Sequence, residues 1–343
     1  MEKRRLVKLG RSTLVLSMPV DWVRSNRLKP GDTVLVDVQE DGSLVICPRE
    51  PNVARELEAT IYIDQTERES KLAREILSCY LNGYTTIRVV SKKVFSVEQQ
   101  RTIRRLAQKL YMGIMDASSR EMVLQSLLDL SKIQLDTSLR RMHSITYSMF
   151  KDSMRALENY DRELATAVIS LDDEVDNFSY LLQRLLRTTL MYPYLMREAR
   201  IGRVDCLDSL VVVQSIEYIA DNIVSIARKT LILIEENKRL PEELLEPLLK
   251  LGEKCMRYYD EAFNAFMFMD VDRSNNLLDS RETFGESNLE ILGSLSMQSD
   301  PTIICATCSI NSNLQAIVTK ASRIAEAAID RYMYMRKQIS QAK

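Results

Sequence analysis

The chain has 343 residues, of which 28% are charged and 45% are apolar, and its formal net charge is −1. This length and composition are typical of a soluble protein with two or three domains. Six cysteines without a disulfide-like spacing predict a reducing, cytoplasmic location, and no uninterrupted apolar run approaches the ~20 residues of a membrane span. A disulfide-stabilised secreted protein and an inserted membrane protein are therefore excluded as interpretations.

Residues 1–51 are predicted to form a small β-rich domain. Alternating apolar residues in STLVLS, TVLVDV and SLVI favour short strands, and PVDWVRSNR favours a short helix. Asp41 and Gly42 between the last two strands indicate a hairpin turn, because both residue types tolerate positive φ angles. A domain of about 50 residues made of such short elements buries little surface, so we expect it to fold as a dimer.

Residues 52–128 alternate between strand and helix patterns. ATIYI, TTIRVV, GIMDASS and EMVLQSLL are predicted strands, with one helix after each of the first two. The expected helix caps are Thr66 with Glu69 and Ser96 with Gln99, and the expected helix ends are Gly83 and Gly113. This order predicts a small α/β layer. It has no glycine-rich phosphate loop, so we interpret it as a linker or sensor module.

Residues 129–343 have helical periodicity throughout. Three long helices are expected before Pro241 and three more after it, which gives repeats of about 129–238 and 239–343. MRALENYD resembles FNAFMFMD, and IEYIADNIVSIA resembles SRIAEAAIDRYM, at offsets of about 105 to 109 residues. The whole chain is therefore predicted to be multidomain and mainly α, with an internal duplication of a three-helix unit in its helical part.

Two pairs of carboxylates occur in the first predicted repeat. Asp172 and Asp176 stand four residues apart in LDDEVDNF, and Glu217 and Asp221 have the same spacing in SIEYIADNIVSIA. Residues four apart lie on one face of a helix, so like charges there repel each other. Two explanations remain open at this point. The acids lie on solvated helix faces, or they converge as oxygen ligands of a hard cation.

The two acidic segments resemble the paired motifs of the PhoU family of phosphate uptake regulators, whose two three-helix repeats hold metal clusters. The resemblance covers roughly residues 129–337. It implies that the metal ligands are Asp172, Asp176, Glu217 and Asp221, with iron, Mn, Mg or Zn as the ion. In the second repeat the matching positions are Arg281, Gly285, Ser322 and Glu326. We therefore expect one cluster at most.

The N-terminal segments KLGRSTLVLSMP and LKPGDTV resemble the swapped-hairpin AbrB and SpoVT type of DNA-binding domain. Residues 1–29 carry eight basic and two acidic side chains, whereas residues 30–50 carry one basic and five acidic ones. A basic face attracts the phosphate backbone through counterion release. The resemblance implies DNA contacts by Arg4, Lys8, Arg11 and Arg24, and less strongly by Arg5. An antidote-like or purely dimerising hairpin remains the alternative.

Together these patterns predict a cytoplasmic regulator of phosphate uptake that binds DNA as a homodimer or higher homo-oligomer. The alternative is an adaptor that contacts a phosphate transporter or signalling kinase directly and does not bind DNA. No catalytic residue is predicted, because His143, the single histidine, has no nucleophile or orienting acid near it in the sequence. Cys305 and Cys308 lack a second cysteine pair that would complete a zinc site.

Overall fold

The computed structural model of the protein describes residues 2–38, 42–48, 57–192 and 201–341. Its contacts divide the chain into two compact units, Met1–Glu56 and Leu57–Lys343. The first unit is rich in β-strands, and the second contains both an α/β layer and a long helical region. The chain is therefore multidomain and mainly α, as predicted.

The first unit consists of two short hairpins and one helix. Its elements are β1 (Val7–Leu9), β2 (Thr13–Val15), α1 (Val20–Ser25), β3 (Leu35–Val38) and β4 (Leu44–Cys47). β1 pairs with β2 and β3 pairs with β4, both antiparallel. Gly42 has the positive φ expected of the second hairpin, +76°, and Asp41 of the predicted turn lies outside the described residues.

The described side chains of residues 2–38 and 42–48 include none that is buried. Large apolar side chains are exposed instead on every strand and on the helix: Leu6, Val7, Leu9, Leu14, Val15, Leu16, Val20, Leu35, Val36, Val38 and Leu44. The described residues of a single copy therefore form no hydrophobic core among themselves, and their apolar surface is exposed.

The α/β layer is one four-stranded sheet with two helices. Its elements are β5 (Glu58–Ile63), α2 (Glu69–Leu81), β6 (Thr86–Ser91), α3 (Val97–Lys109), β7 (Met112–Ala117) and β8 (Glu121–Ser126). The strand order is β5-β6-β8-β7, with β5 parallel to β6 and the remaining pairs antiparallel. The two helices contact each other and pack on the same core as the sheet, which includes Ile61, Ile76, Ile87 and Ile103.

The helix ends of this layer differ in part from the prediction. The capping box of Ser96 and Gln99 is present, but α2 begins at Glu69 after Arg68, without the expected cap from Thr66. The backbone before α2 forms a turn instead, in which the Glu67 carboxylate accepts a hydrogen bond from the Asp64 amide at 3.3 Å.

The end of α3 also differs from the prediction. The helix stops at Lys109, and Tyr111 takes the left-handed conformation with φ of 53°. Its amide donates to the Gln108 carbonyl at 3.2 Å, which closes the turn. Gly113, the predicted end, lies in β7 opposite Gln125, so the strand begins earlier than the glycine suggested.

Two sets of antiparallel helices form the helical region. The first set is α4 (Leu135–Asn159), α5 (Arg162–Met191) and α6 (Arg203–Glu235), and the second is α7 (Glu242–Phe268), α8 (Val271–Ser280), α9 (Thr283–Leu295) and α10 (Pro301–Gln341). The middle helix of the second set was predicted to be continuous, but it is divided after Ser280. The Thr283 hydroxyl donates to the Ser280 carbonyl at 2.7 Å and so takes the acceptor that a continuous helix would use.

The duplication is visible where the first two helices of each set join. Tyr160 and Met269 both take the left-handed conformation, with φ of 54° and 53°. The next residue in each case, Asp161 or Asp270, caps the following helix by accepting a hydrogen bond from a backbone amide at 3.0 Å. The same turn therefore occurs twice, at the offset seen in the sequence.

Among the described helices, α6 is long and apolar enough to cross a membrane by length and composition. Its apolar window is 61% buried within the protein, where α6 packs against α5 and α10. This burial is that of a core helix, and one such helix is weak evidence for a membrane span.

Candidate functional site

Two facing turns of α5 and α6 form an acidic cleft, defined here by Asp172, Asp176, Glu217 and Asp221. Burial raises the pKa of Glu217 to about 7, with further contributions from Asp221, Asp176 and Asp172. Burial also raises the pKa of Asp172 to about 6, and the charges of Asp176 and Asp221 add to it. The carboxylates of the two helices therefore act on one another across the cleft, rather than pointing to separate faces.

The cleft concentrates the negative charge of four carboxylates in a partly buried place. Carboxylates whose pKa is raised by burial and by like charges are stabilised by a proton or by a nearby cation. Oxygen donors of this kind suit hard or borderline cations such as Mg²⁺, Mn²⁺ and iron. The four carboxylates thus act on one another electrostatically, and carboxylate oxygens are the donor type that such metals prefer.

One cation that the sequence did not indicate already lies at this cleft. The Lys109 ammonium, at the end of α3, is 2.7 Å from Asp176 and 3.0 Å from Asp173. Burial alone would lower the pKa of Lys109, but the hydrogen bonds to the two aspartates raise it overall. Lys109 is 67 residues from Asp176 in the sequence, so no local pattern connects them.

Two further basic residues act on the cleft at longer range. Burial raises the pKa of Asp172, Asp221 and Glu217, and nearby positive charges oppose that rise: Arg228 for the two aspartates and Lys320 for Glu217. Within the described ranges, no group of three or more His, Cys, Asp or Glu side chains is close enough to hold one ion as placed. The cleft therefore supplies oxygen donors that are not gathered around one point, and Asp176 is bonded to an ammonium.

The second repeat has different chemistry at the corresponding place. The Tyr258 hydroxyl is 2.9 Å from the Ser322 hydroxyl, and both side chains are buried. Glu326, the matching acid, pairs with Arg323 at 2.8 Å on the surface of α10. Burial raises the pKa of Tyr258, and the hydrogen bond with Ser322 and the charge of Arg281 oppose that rise. The matching position of Glu217 thus holds the Ser322 hydroxyl, hydrogen-bonded to Tyr258, and Glu326 keeps a carboxylate at the matching position of Asp221.

The basic side chains predicted to contact DNA are exposed on the first unit. They lie on or beside the first hairpin and on α1: Arg4, Arg5, Lys8, Arg11 and Arg24. Arg4 pairs with the Glu2 carboxylate and donates to the Ser17 hydroxyl at 3.3 Å. The unit therefore presents these positive charges to solvent.

His143 has an acidic partner that sequence reasoning missed. Its Nε2 is 2.9 Å from the Asp260 carboxylate, 117 residues away, and its ring stacks on Phe263 at 4.0 Å between centroids. Burial lowers the pKa of His143 to about 3, so the ring is neutral at physiological pH. The pair joins α4 to α7, with the His143 side chain buried and the Asp260 side chain partly exposed.

Comparisons with known proteins match two parts of the chain. A family model described as PhoU domain matches residues 139–230, and one described as antidote-toxin recognition MazE, bacterial antitoxin, matches residues 7–53. A search of curated proteins finds no match.

Two solved structures resemble the chain. PhoU from Pseudomonas aeruginosa has a TM-score of 0.52 and 21% identity, and the match covers 57% of this chain and 93% of that one. The phosphate transport system regulatory protein PhoU from Streptococcus pneumoniae has a TM-score of 0.49 and 17% identity, with 57% and 91% covered.

The chain therefore carries a PhoU domain in its helical region and a MazE/AbrB-like domain at its N-terminus, as the two sequence resemblances predicted. At 21% identity, the likeness to the Pseudomonas protein shows the fold alone. The matched range 139–230 contains all the acidic residues of the cleft.

Proposed function

We propose that this protein is a cytoplasmic, non-enzymatic DNA-binding regulator of phosphate uptake and phosphate homeostasis. The observation that carries the proposal is the presence, in one chain, of a PhoU domain and an antitoxin-type domain with exposed basic side chains. The first unit is the DNA-binding part, and the helical region is the part that senses a cation or docks a transport or signalling protein.

The surface of the first unit supports DNA binding as a homodimer. Its described side chains form no core, so pairing with a second copy through the exposed apolar residues supplies one. Pairing also doubles the basic surface that carries Arg4, Lys8 and Arg11. Two copies of such a surface match the repeated phosphates of a duplex better than one, and each phosphate contact adds to the salt dependence of binding.

The acidic cleft supports the sensing role of the PhoU domain. We propose that Asp172, Asp176, Glu217 and Asp221 bind one divalent or trivalent ion or cluster. The bound ion supplies positive charge that stabilises the ionised carboxylates, whose pKa values are raised by burial and by mutual repulsion. Within the protein, α5 and α6 hold the donors on facing turns, and Lys109, Arg228 and Lys320 limit how much negative charge remains for the ion.

The proposed DNA binding is tested by titrating duplex DNA with the full-length protein at several salt concentrations. Replacing Arg4, Lys8 and Arg11 together by alanine is expected to weaken binding and to lower the salt slope by about one for each phosphate that the variant no longer neutralises. The matched control replaces Lys250, Arg257 and Arg323, exposed bases of the helical region, and is expected to leave binding unchanged.

The proposed link to phosphate uptake is tested by identifying which fragments of genomic DNA the intact protein retains. Enrichment of fragments beside phosphate-transport genes supports the proposal. The adaptor alternative predicts no DNA binding at any salt concentration and a direct complex with a transporter or kinase, so absence of binding in the first experiment would favour it.

A further inference from the structure

One face of α5 holds the α/β layer against the helical region. Side chains at intervals of three or four residues point to that layer: Asp173, Asp176, Tyr180, Arg184 and Arg187. This face is attached to the layer near each of its ends. At one end of this face, Lys109 of α3 binds Asp173 and Asp176. At the other end, Arg184 and Arg187 bind the carboxyl end of α2.

The attachment at the far end is buried. Arg184 is 2% exposed and donates to the Tyr80 and Tyr84 carbonyls at 2.6 and 2.9 Å. These carbonyls lie at the carboxyl end of α2, where the helix dipole favours a cation. Arg187 adds a hydrogen bond to the Asn82 side chain at 2.8 Å. The end of α2 is thus fixed to α5 independently of the acidic cleft.

The attachment at the near end shares a residue with the cleft. Asp176 is bonded to Lys109, and its charge adds to the effect of burial in raising the pKa of Asp172 on the same helix and of Glu217 and Asp221 on α6. The side chains of Lys109 and Asp176 are only 21% and 20% exposed, and the ammonium lies 5.7 Å from the centroid of the Tyr180 ring. This pair is therefore shielded from solvent more than an ordinary surface ion pair is.

We infer that Lys109 is a built-in competitor for the cation of the acidic cleft, and that a divalent ion binding there displaces Lys109 and releases the end of α3 from α5. This inference rests on the cation site proposed above. An ammonium and a divalent ion a few ångströms apart repel each other in a partly buried site. An ion that binds Asp176 therefore weakens the bond of Asp176 to Lys109, and the ammonium in turn weakens the binding of the ion.

Displacement of Lys109 has a defined structural consequence. Lys109 is the last residue of α3, and Tyr111 and β7 follow directly, so these residues lose their attachment to α5. The hydrogen bonds of Arg184 are unaffected, so α2 stays in place. Binding of a cation in the cleft therefore changes the α/β layer at one end. By thermodynamic linkage, a partner that stabilises the attached layer lowers the affinity for the cation, and the cation lowers the affinity for that partner by an equal factor.

Calorimetric titration of the full-length protein with Mn²⁺ tests the competition. Lys109→Met keeps the length of the side chain and removes its charge, and it is expected to tighten Mn²⁺ binding roughly three- to tenfold. The control is Lys250→Met, since Lys250 is an exposed lysine paired with Glu246 four residues away, and it is expected to bind Mn²⁺ as the wild type does. Equal affinities of the wild type and Lys109→Met overturn the inference and leave the cation site standing.

Hydrogen–deuterium exchange of the same samples tests the release. Mn²⁺ is expected to increase exchange at the end of α3 and the start of β7 in the wild type, with no change at the end of α2. Metal-free Lys109→Met is expected to show that increase already and to gain nothing more from Mn²⁺. Unchanged exchange in the wild type at saturating Mn²⁺ overturns the inference. Binding of Mn²⁺ to neither protein rejects the cation site and this inference together.

Discussion

The Arg184 guanidinium donates to the Tyr80 carbonyl at 2.6 Å, across 104 residues of sequence, and lies 4.4 Å from the centroid of the Tyr80 ring. Burial lowers the pKa of this arginine, and no carboxylate among the described residues pairs with it. The charge is instead stabilised by carbonyl oxygens at the end of α2 and by the ring face. This one side chain therefore links the α/β layer to the helical region without a salt bridge.

Replacing Arg184 by methionine is expected to destabilise the second unit. The substitution leaves the carbonyls of Tyr80 and Tyr84 without their buried donor, which costs about 2 to 3 kcal/mol for hydrogen bonds from a charged group. Urea unfolding of the full-length protein measures the change. The control is Arg187→Met, which removes only the exposed hydrogen bond to Asn82 and is expected to cost less than about 1 kcal/mol. Equal destabilisation of the two variants would contradict the linking role of Arg184.

Introducing charge into the apolar surface of the first unit is expected to prevent its pairing. Leu14 is 61% exposed and Val36 is 54% exposed in a single copy, and in a dimer we expect both to be buried. The double variant Leu14→Asp, Val36→Asp is therefore expected to sediment as a monomer and to lose its DNA affinity, because a buried unpaired carboxylate opposes association.

Met297 supplies the control for this experiment. It is 87% exposed on the second unit, and Met297→Asp is expected to leave both the oligomeric state and DNA binding unchanged. A charged double variant that remains dimeric and binds DNA normally would place the dimer interface elsewhere.

Protonation of His143 is expected to reduce stability in acid. The pKa of the folded state is about 3 because the ring is buried, and the ordinary value is 6.5, so between these values the unfolded chain binds the proton and the folded protein does not. Stability from this group is complete above about pH 6.5 and falls by up to about 1.4 kcal/mol for each pH unit below it, or roughly 2 kcal/mol at pH 5.

His143→Gln is expected to remove this part of the pH dependence. Urea unfolding of both proteins at pH 7.5 and pH 5 measures it, and the difference between the two slopes isolates the residue because the chain has no other histidine. Parallel pH profiles for the two proteins would show that the folded protein accepts the proton, through the Asp260 carboxylate 2.9 Å away.

Sequence patterns predicted the elements well where local signals were strong. The predictions of strands β5 and β6 and of the capping box at Ser96 depend on residues within a few positions of one another. The cap expected from Thr66 is absent because a competing turn formed nearby, which a motif of four residues does not reveal. Local rules thus located the helices more reliably than their ends.

In the candidate site, too, local features were predicted from the sequence and long-range contacts were not. The spacing of the carboxylates indicated a shared helix face, and the family resemblance brought the two faces together. Lys109, Asp260 and Arg184 were not found, because their partners are 67, 117 and 104 residues away and each side chain is ordinary in its local context. Long-range pairing of single charged residues leaves no periodic pattern in one sequence.

Removing one carboxylate from the acidic cleft is expected to have opposite effects with and without metal. Asp221→Asn keeps the shape of the side chain and removes a charge whose pKa is raised by burial and by Asp176. In metal-free protein at pH 8 the variant is expected to be more stable by about 0.5 to 1 kcal/mol, because one repelling charge is gone. In excess Mn²⁺ the order reverses, since the wild type gains the binding free energy and the variant gains less.

Thermal unfolding at pH 8, with chelator or with Mn²⁺, measures both effects of Asp221→Asn. Asp279, an exposed aspartate on α8, supplies the control, and Asp279→Asn is expected to unfold as the wild type does in both conditions. If Asp221→Asn also matches the wild type in both conditions, its carboxylate is solvated and does not take part in a shared site. If it is stabilised without metal and Mn²⁺ has no effect on either protein, the cleft is repulsive but Lys109 and the other bases are its only cations.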